Sequence, residues 1–268
     1  MALILLFISL FSFCTKSSSG STATPPVIPP VTPPIITDTA TYQLVWSDEF
    51  DSTAVNPNNW NFETGGNGWG NNEQEYYTPG NNTTLESGNL IITAKKETIG
   101  SNGYTSSRMT TQGKREFTYG KIEARIKMPV GQGIWPAFWM LGANINTVNW
   151  PTSGETDIME HINADSIIYG TIHWNNNGHQ QDSKSMSSSP SSYHVYGVEW
   201  TSSSINWYVD STVYHTAPLS SGGQDAFTKP SFLLLNLAVG GNWPGQTVDA
   251  SLFPAKMYVD WVRIYQKK

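Results

Sequence analysis

Between residues 122 and 128 the chain alternates: Ile122, Ala124, Ile126 and Met128 are apolar, while Glu123, Arg125 and Lys127 are charged. A period of two puts each set on one face of an extended strand, so the segment predicts a half-buried antiparallel strand. Ile205, Trp207 and Val209 repeat the pattern, as do Val259 and Trp261 near the C-terminus. Phe232 to Val239 is a continuous apolar run interrupted by Asn236, the signature of a central strand. Clusters of Gly, Asn, Pro and Ser separate these runs, and no long stretch carries helical spacing. Many strands without helical crossovers predict an all-β sandwich or barrel. With no repeat of fixed period, the expectation is a two-sheet antiparallel β-jelly-roll sandwich over residues 42–268, bent to give a concave face for a chain-like ligand.

Ahead of this domain the pattern changes. Ala2 to Phe13 is an almost unbroken apolar run, too short to span a bilayer and of the length of a signal-peptide core. It ends at Cys14, the only cysteine, followed by Thr15, Lys16 and three serines. Residues 1–14 are therefore expected to be an export signal. They resemble a bacterial lipoprotein signal, in which Cys14 would be lipidated, although Phe13 stands where a small residue is usual; the other reading is an ordinary cleaved signal. Residues 15–41 are rich in Ser, Thr and Pro, with three Pro-Pro pairs. Paired prolines favour polyproline II and build no core, so this is a tether with a reach of roughly 70 Å at about 3.1 Å per residue. The expected location is the outer membrane or cell surface through a lipid anchor, or the medium without one.

Composition narrows the partners. A net charge of −6 without a dense basic patch argues against nucleic acid, and against an anionic membrane surface, as the main partner. One cysteine excludes an intrachain disulfide, which a chain of 268 residues does not need in order to bury a core. A monomer is expected. The 11 tryptophans serve either as core or as platforms for a flat ligand.

The segment Gly154-Glu155-Thr156-Asp157-Ile158-Met159-Glu160-His161 carries the chemistry. In a strand Glu155 and Asp157 share a face, whereas Glu160 has the wrong parity. One extra residue, a β-bulge near Ile158-Met159, would return Glu160 to that face. Three carboxylates on one face are electrostatically costly and push at least one pKa upward. Glycoside hydrolysis needs such a set: one ionised and one protonated carboxyl flanking the scissile bond, about 5–5.5 Å apart where configuration is retained. A merely solvated acidic face, a non-catalytic sugar-binding module and a structural surface protein are the competing readings.

Further stretches then bear on the choice: Trp46-Ser47-Asp48-Glu49-Phe50, Gly70 to Thr78, Tyr119 to Arg125, Gly133 to Leu141 and Asn236 to Pro244. With the acidic segment, they make residues 42–266 resemble glycoside hydrolase family 16, most closely its bacterial laminarinase branch of endo-β-1,3-glucanases. The resemblance implies a bent jelly roll and retaining hydrolysis of β-1,3-glucan, with mixed-linkage β-1,3-1,4-glucan as a further substrate and a galactan such as agarose as the alternative. It implies Glu155 as nucleophile, Glu160 as acid and then base, and Asp157 hydrogen-bonded to Glu155. The longer form of the acidic motif, with Met159 as the extra residue, favours the laminarinase branch. Thr156 stands where Ile or Leu is usual and is expected to face the sandwich interior.

The resemblance also suggests substrate contacts for Trp135 and Trp139, which are expected to share a face only if a helical turn or irregular loop intervenes. Trp150 and Trp243 are further aromatic candidates, and Arg108 and Asn72 are candidate partners of sugar hydroxyls. His173 is expected near the leaving group, bonding substrate or Glu160. No cofactor is expected for catalysis. A structural calcium ion is expected on the convex side, held by Asp260 and by main-chain oxygens near Glu49 and Gly88, since oxygen ligands suit calcium.

Overall fold

The computed structural model describes residues 41–268. The signal segment, Cys14 and the tether up to residue 40 lie outside the described residues. Eighteen strands follow in order: β1 (Tyr42–Asp48), β2 (Asn61–Glu63), β3 (Glu75–Tyr77), β4 (Thr83–Glu86), β5 (Asn89–Ala94), β6 (Tyr104–Ser106), β7 (Arg108–Thr110), β8 (Glu116–Phe117), β9 (Gly120–Lys127), β10 (Ile134–Gly142), β11 (Glu155–Glu160), β12 (Ile167–Asn175), β13 (His179–Ser187), β14 (His194–Trp200), β15 (Ser204–Val209), β16 (Thr212–Pro218), β17 (Ser231–Val239) and β18 (Ala255–Lys267). The helical elements are one four-residue turn, Ile145–Val148, and two 3-10 turns, Gln224–Thr228 and Ala250–Leu252.

Two antiparallel sheets of eight strands pack face to face. One, the outer sheet, runs β16-β15-β14-β9-β18-β5-β4, with β1 beside β18. The other, the cleft sheet, runs β13-β12-β11-β10-β17-β7-β2, with β8 beside β17. This is the predicted sandwich. Strand β9 alternates as expected, with Ile122, Ala124 and Ile126 buried in the core and Glu123, Arg125 and Lys127 half-buried on the other face. Strand β17 is buried from Phe232 to Val239 and lies between β10 and β7, as an apolar central strand should.

The strand at the C-terminus departs from the expectation. Val259 is buried but Trp261 is not its neighbour on the core face. The register of β18 against β9 slips between them, and Val262 and Ile264 fill the core instead. An extra residue reverses parity, and Trp261 turns outward, where Arg263 stacks on it at 4.2 Å.

The cleft sheet carries a bulge of its own, at the predicted place. Against β10, Trp139 faces Asp157 and Phe138 faces Met159, so Ile158 is the residue without an opposite number. Ile158 and Met159 are thus the two residues of the bulge, and both pack in the core. Against β12, Asp157 faces Thr171 and Glu160 faces Tyr169, leaving only Gly170 opposite the pair. Trp207 of the outer sheet lies beneath this point and donates from Nε1 to the Asp157 carbonyl at 2.7 Å. A Cβ on Gly170 would come within 2.4 Å of the Trp207 ring, so the bulge is locked from below by a glycine that leaves room for the indole.

Candidate active site

The cleft of about 420 Å³ on the cleft sheet is floored by β10 and β11. Trp135, Ala137, Trp139 and Leu141 line it in succession, every second residue of a regular strand. The expectation that Trp135 and Trp139 need an irregular segment between them is therefore corrected: four residues apart is even parity, and an ordinary strand presents both. Glu155, Asp157 and Glu160 all line the same cleft, as the bulge requires. Thr156 is buried on the opposite side, toward the sandwich.

The two glutamates each have an indole partner, whereas Asp157 Oδ2 has no hydrogen-bond partner, so the expected bond to Glu155 is not made through that oxygen. Glu160 accepts a hydrogen bond from Trp135 Nε1 at 2.9 Å, and Glu155 accepts one from Trp150 Nε1 at 3.1 Å. His173 sits across from Glu155 on β12, with Nε2 3.8 Å from Glu155 Oε1 and 3.2 Å from Asp157 Oδ2. Its partners are thus Glu155 and Asp157, a correction to the expected bond with Glu160. The other ring nitrogen of His173 shares a 2.8 Å hydrogen bond with His179 on β13, and Trp150 packs on the His179 ring at 4.8 Å.

Burial pushes the pKa of all three acids upward, because withdrawing a carboxylate from water disfavours its charge. For Glu155 the negative charges of Asp157 and Glu160 add to this, while His173 and Arg108 oppose it. For Glu160 the charge of Asp157 adds, and the Trp135 hydrogen bond and His173 oppose. Arg108 lowers the cost of charge on Glu155, and the Trp135 hydrogen bond does the same for Glu160.

Farther along the cleft Arg108 lies between two indoles, 4.9 Å from the centre of Trp69 and 4.8 Å from that of Trp139, and its Nε donates to Glu63. Beneath this stack runs a buried relay. Trp139 Nε1 donates to Asn236 Oδ1 at 2.8 Å, Asn236 Nδ2 donates to the Tyr77 hydroxyl at 3.2 Å, and that hydroxyl donates to Glu73 at 2.9 Å. The relay fixes the orientation of the indole and explains why Asn236 interrupts an otherwise apolar strand.

With this geometry in place, the sequence model of Glycosyl hydrolases family 16 matches residues 62–263. The chain belongs to this family. Among its relatives, the clotting factor G alpha subunit of Tachypleus tridentatus is 45% identical over 84% of this chain, which spans only 34% of that larger protein. The beta-glucanase of Rhodothermus marinus is 39% identical, with 84% of this chain and 85% of that protein covered. Among solved structures, the laminarinase catalytic domain of Thermotoga maritima MSB8 superimposes with a TM-score of 0.78 at 43% identity, covering 85% of this chain and 99% of that one.

Within the family 16 cleft the remaining candidates separate. Trp150 is 47% exposed and stands over the acids. Trp243 lies behind Trp135, edge-on at 5.6 Å, and buttresses it from the rim. Asn72 does not line the cleft: its amide donates to Asn242 at 2.8 Å, and its neighbour Asn71 takes the lining position. Residues that sequence reasoning missed are Trp69, Asn71, Glu73, His179 and Asn236. A readable signal existed only for Trp69, an aromatic side chain set among Gly66, Gly68 and Gly70, where no core can form around it. On the outer sheet the Asp260 carboxylate meets Arg125 at 2.6 Å, and Glu49 forms a two-point pair with Arg263 at 3.0 and 2.8 Å. Gly88 occupies the β4–β5 turn. Asp260, the side-chain ligand expected for calcium, thus faces the Arg125 guanidinium in the fold.

Proposed function

We propose that this chain is an endo-acting, retaining hydrolase of β-1,3-glucan, with mixed-linkage β-1,3-1,4-glucan as a second substrate. The observation that carries the reading is the bulge at Ile158-Met159, which lines up Glu155, Asp157 and Glu160 on one wall of a tryptophan-lined groove. The relatives named beta-glucanase and laminarinase support the choice of glucan.

In the proposed mechanism Glu155 attacks the anomeric carbon while Glu160 gives its proton to the departing glycosidic oxygen, leaving a glycosyl ester on Glu155. Glu160, now ionised, takes a proton from water, and the resulting oxygen attacks the same carbon, releasing Glu155 and a sugar of unchanged configuration. Asp157 stands between the two, and its charge raises the cost of ionising each of them. Trp135 and Trp139 offer indole faces to the apolar faces of pyranose rings.

Digestion of laminarin, lichenan, curdlan and agarose, followed by proton NMR of fresh product, tests this. Laminarin is expected to be cut internally and to yield β ends first; α ends, or cleavage of agarose alone, would overturn it.

Anchoring through Cys14 and a monomeric state belong to the same proposal. They rest on the sequence, and fatty-acid labelling lost in Cys14→Ser and light scattering of the purified domain test them. Calcium near Asp260 rests on the resemblance alone. A rise in melting temperature with calcium, abolished in Asp260→Asn, would establish it despite Arg125.

A further inference from the structure

His173 Nε2 and Asp157 Oδ2 are 3.2 Å apart without a hydrogen bond between them. Oδ2 has no hydrogen-bond partner, and Asp157 is only 3% exposed. A buried carboxylate oxygen left in this way costs free energy unless a proton or a cation meets it. Glu155 Oε1 lies 3.8 Å from the same ring nitrogen, and one ligand atom from each of the three residues falls within 4.8 Å of the others.

The two spacings from Nε2, 3.2 and 3.8 Å, bracket the edge of a small tetrahedron. Zinc bound to nitrogen and carboxylate oxygen at about 2.0–2.2 Å sets its ligand atoms about 3.3–3.5 Å apart. Three protein ligands with a fourth position open to a cleft is the usual form of an exchangeable zinc site. The outer partner is also present. In the tautomer whose Nδ1–H donates to His179 Nε2, His173 turns the bare Nε2 lone pair toward the carboxylates. An imidazole ligand disfavours calcium and magnesium, which select oxygen, and favours zinc or copper.

We propose that Glu155, Asp157 and His173 form a reversible binding site for a borderline divalent cation, zinc or copper, whose occupancy blocks the active centre by capturing Glu155. His179 is a positioning residue that orients His173. The proposal rests on the geometry of the site and on no particular glycan, so its primary test reads binding rather than turnover.

The full chain, stripped of metal, is titrated with ZnCl₂ by calorimetry and with CoCl₂ by visible absorption. One ion per chain is expected for the native protein and for Glu160→Gln. Binding at least tenfold weaker is expected for His173→Ala and for the isosteric Glu155→Gln, which carries the test should the histidine variant fold poorly. His179→Ala is expected to weaken binding about tenfold or more, with the tetrahedral cobalt spectrum altered. Hydrolysis by the native chain is expected to fall with the same midpoint as zinc occupancy. Absence of stoichiometric binding, equal binding by Glu155→Gln, or full hydrolysis at full occupancy would overturn the proposal.

Discussion

Strands β9 and β11 lie in opposite sheets and treat their polar faces in opposite ways. On β9 the outward charges have nearby partners: Glu123 accepts from the Tyr208 hydroxyl at 2.7 Å and lies 3.0 Å from Lys121, Arg125 meets Asp260, and Lys127 lies 4.2 Å from the centre of the Tyr258 ring. On β11 three carboxylates share a face with indole N–H groups and an imidazole, and burial raises the pKa of each. Half-exposed pairs like those of β9 contribute little to stability, typically about 0–1 kcal/mol, because side-chain ordering offsets most of their attraction. The β11 cluster is the reverse, a local destabilisation kept by the surrounding structure and useful only to chemistry. Of the two, only the clustered arrangement can keep one acid protonated near neutral pH beside another that is ionised.

The contrast can be broken most forcefully at the acids themselves. Glu155→Gln is expected to lower hydrolysis by about 10³-fold or more, and Glu160→Gln by about 10²–10⁴-fold. Circular dichroism should be unchanged for both. Retained turnover in Glu155→Gln would remove the nucleophile assignment. Trp207→Phe attacks the link between the sheets. It deletes the bond to the Asp157 carbonyl and leaves that buried acceptor unpaired, at a cost of about 1–3 kcal/mol. The melting temperature should drop by about 2–4 °C per kcal/mol, with kcat falling as well; an unmoved melting temperature would mean that the bulge holds itself.

Charge supplies a subtler test. The Glu160 pKa is raised from 4.5 to about 8 on folding, so ionisation is disfavoured in the fold and the stability associated with its neutral form is present below 4.5 and lost as pH rises through about 8. A neutral glutamine escapes this loss. The melting temperature of Glu160→Gln relative to the native chain should therefore climb between pH 5 and pH 9; a constant difference would show that the carboxyl is not strained by burial. The smallest effect belongs to the outer sheet. Arg125→Gln should change stability by about 1 kcal/mol or less and leave kcat within twofold, and a large loss of activity would show that the two sheets are not independent.

Much of this was legible in the chain. Strand β9 could be read because one face is dry and one is wet, and β17 because both faces are covered. The β11 bulge could be read because Glu160 violated a parity that chemistry demanded. The β18 bulge could not: tryptophan is at home on either face of a sheet, so Val259 and Trp261 gave no contradiction to resolve. Partners were less legible than positions. The placement of His173 against Glu155 follows from the β11–β12 register, which depends on the whole sheet, and His179 sits in a polar strand with no pattern of its own. The departure of Asn72 from the cleft depends on a left-handed backbone conformation, φ 55°, in a loop crowded with glycine.

Strand β13 has one more consequence. It closes one end of the cleft sheet and, among the described residues, hydrogen-bonds to no further strand on its far side. Such a rim is a template on which identical molecules can accrete. Yet its nine residues, His179–Ser187, include only one apolar side chain, Met186, and carry the exposed Lys184 near the middle. At the opposite end β2 is only three residues long. Polar or abbreviated margins deny a growing fibril both its dry zipper and its ladder. The protein can thus keep a long groove open to a polymer without becoming the seed of one.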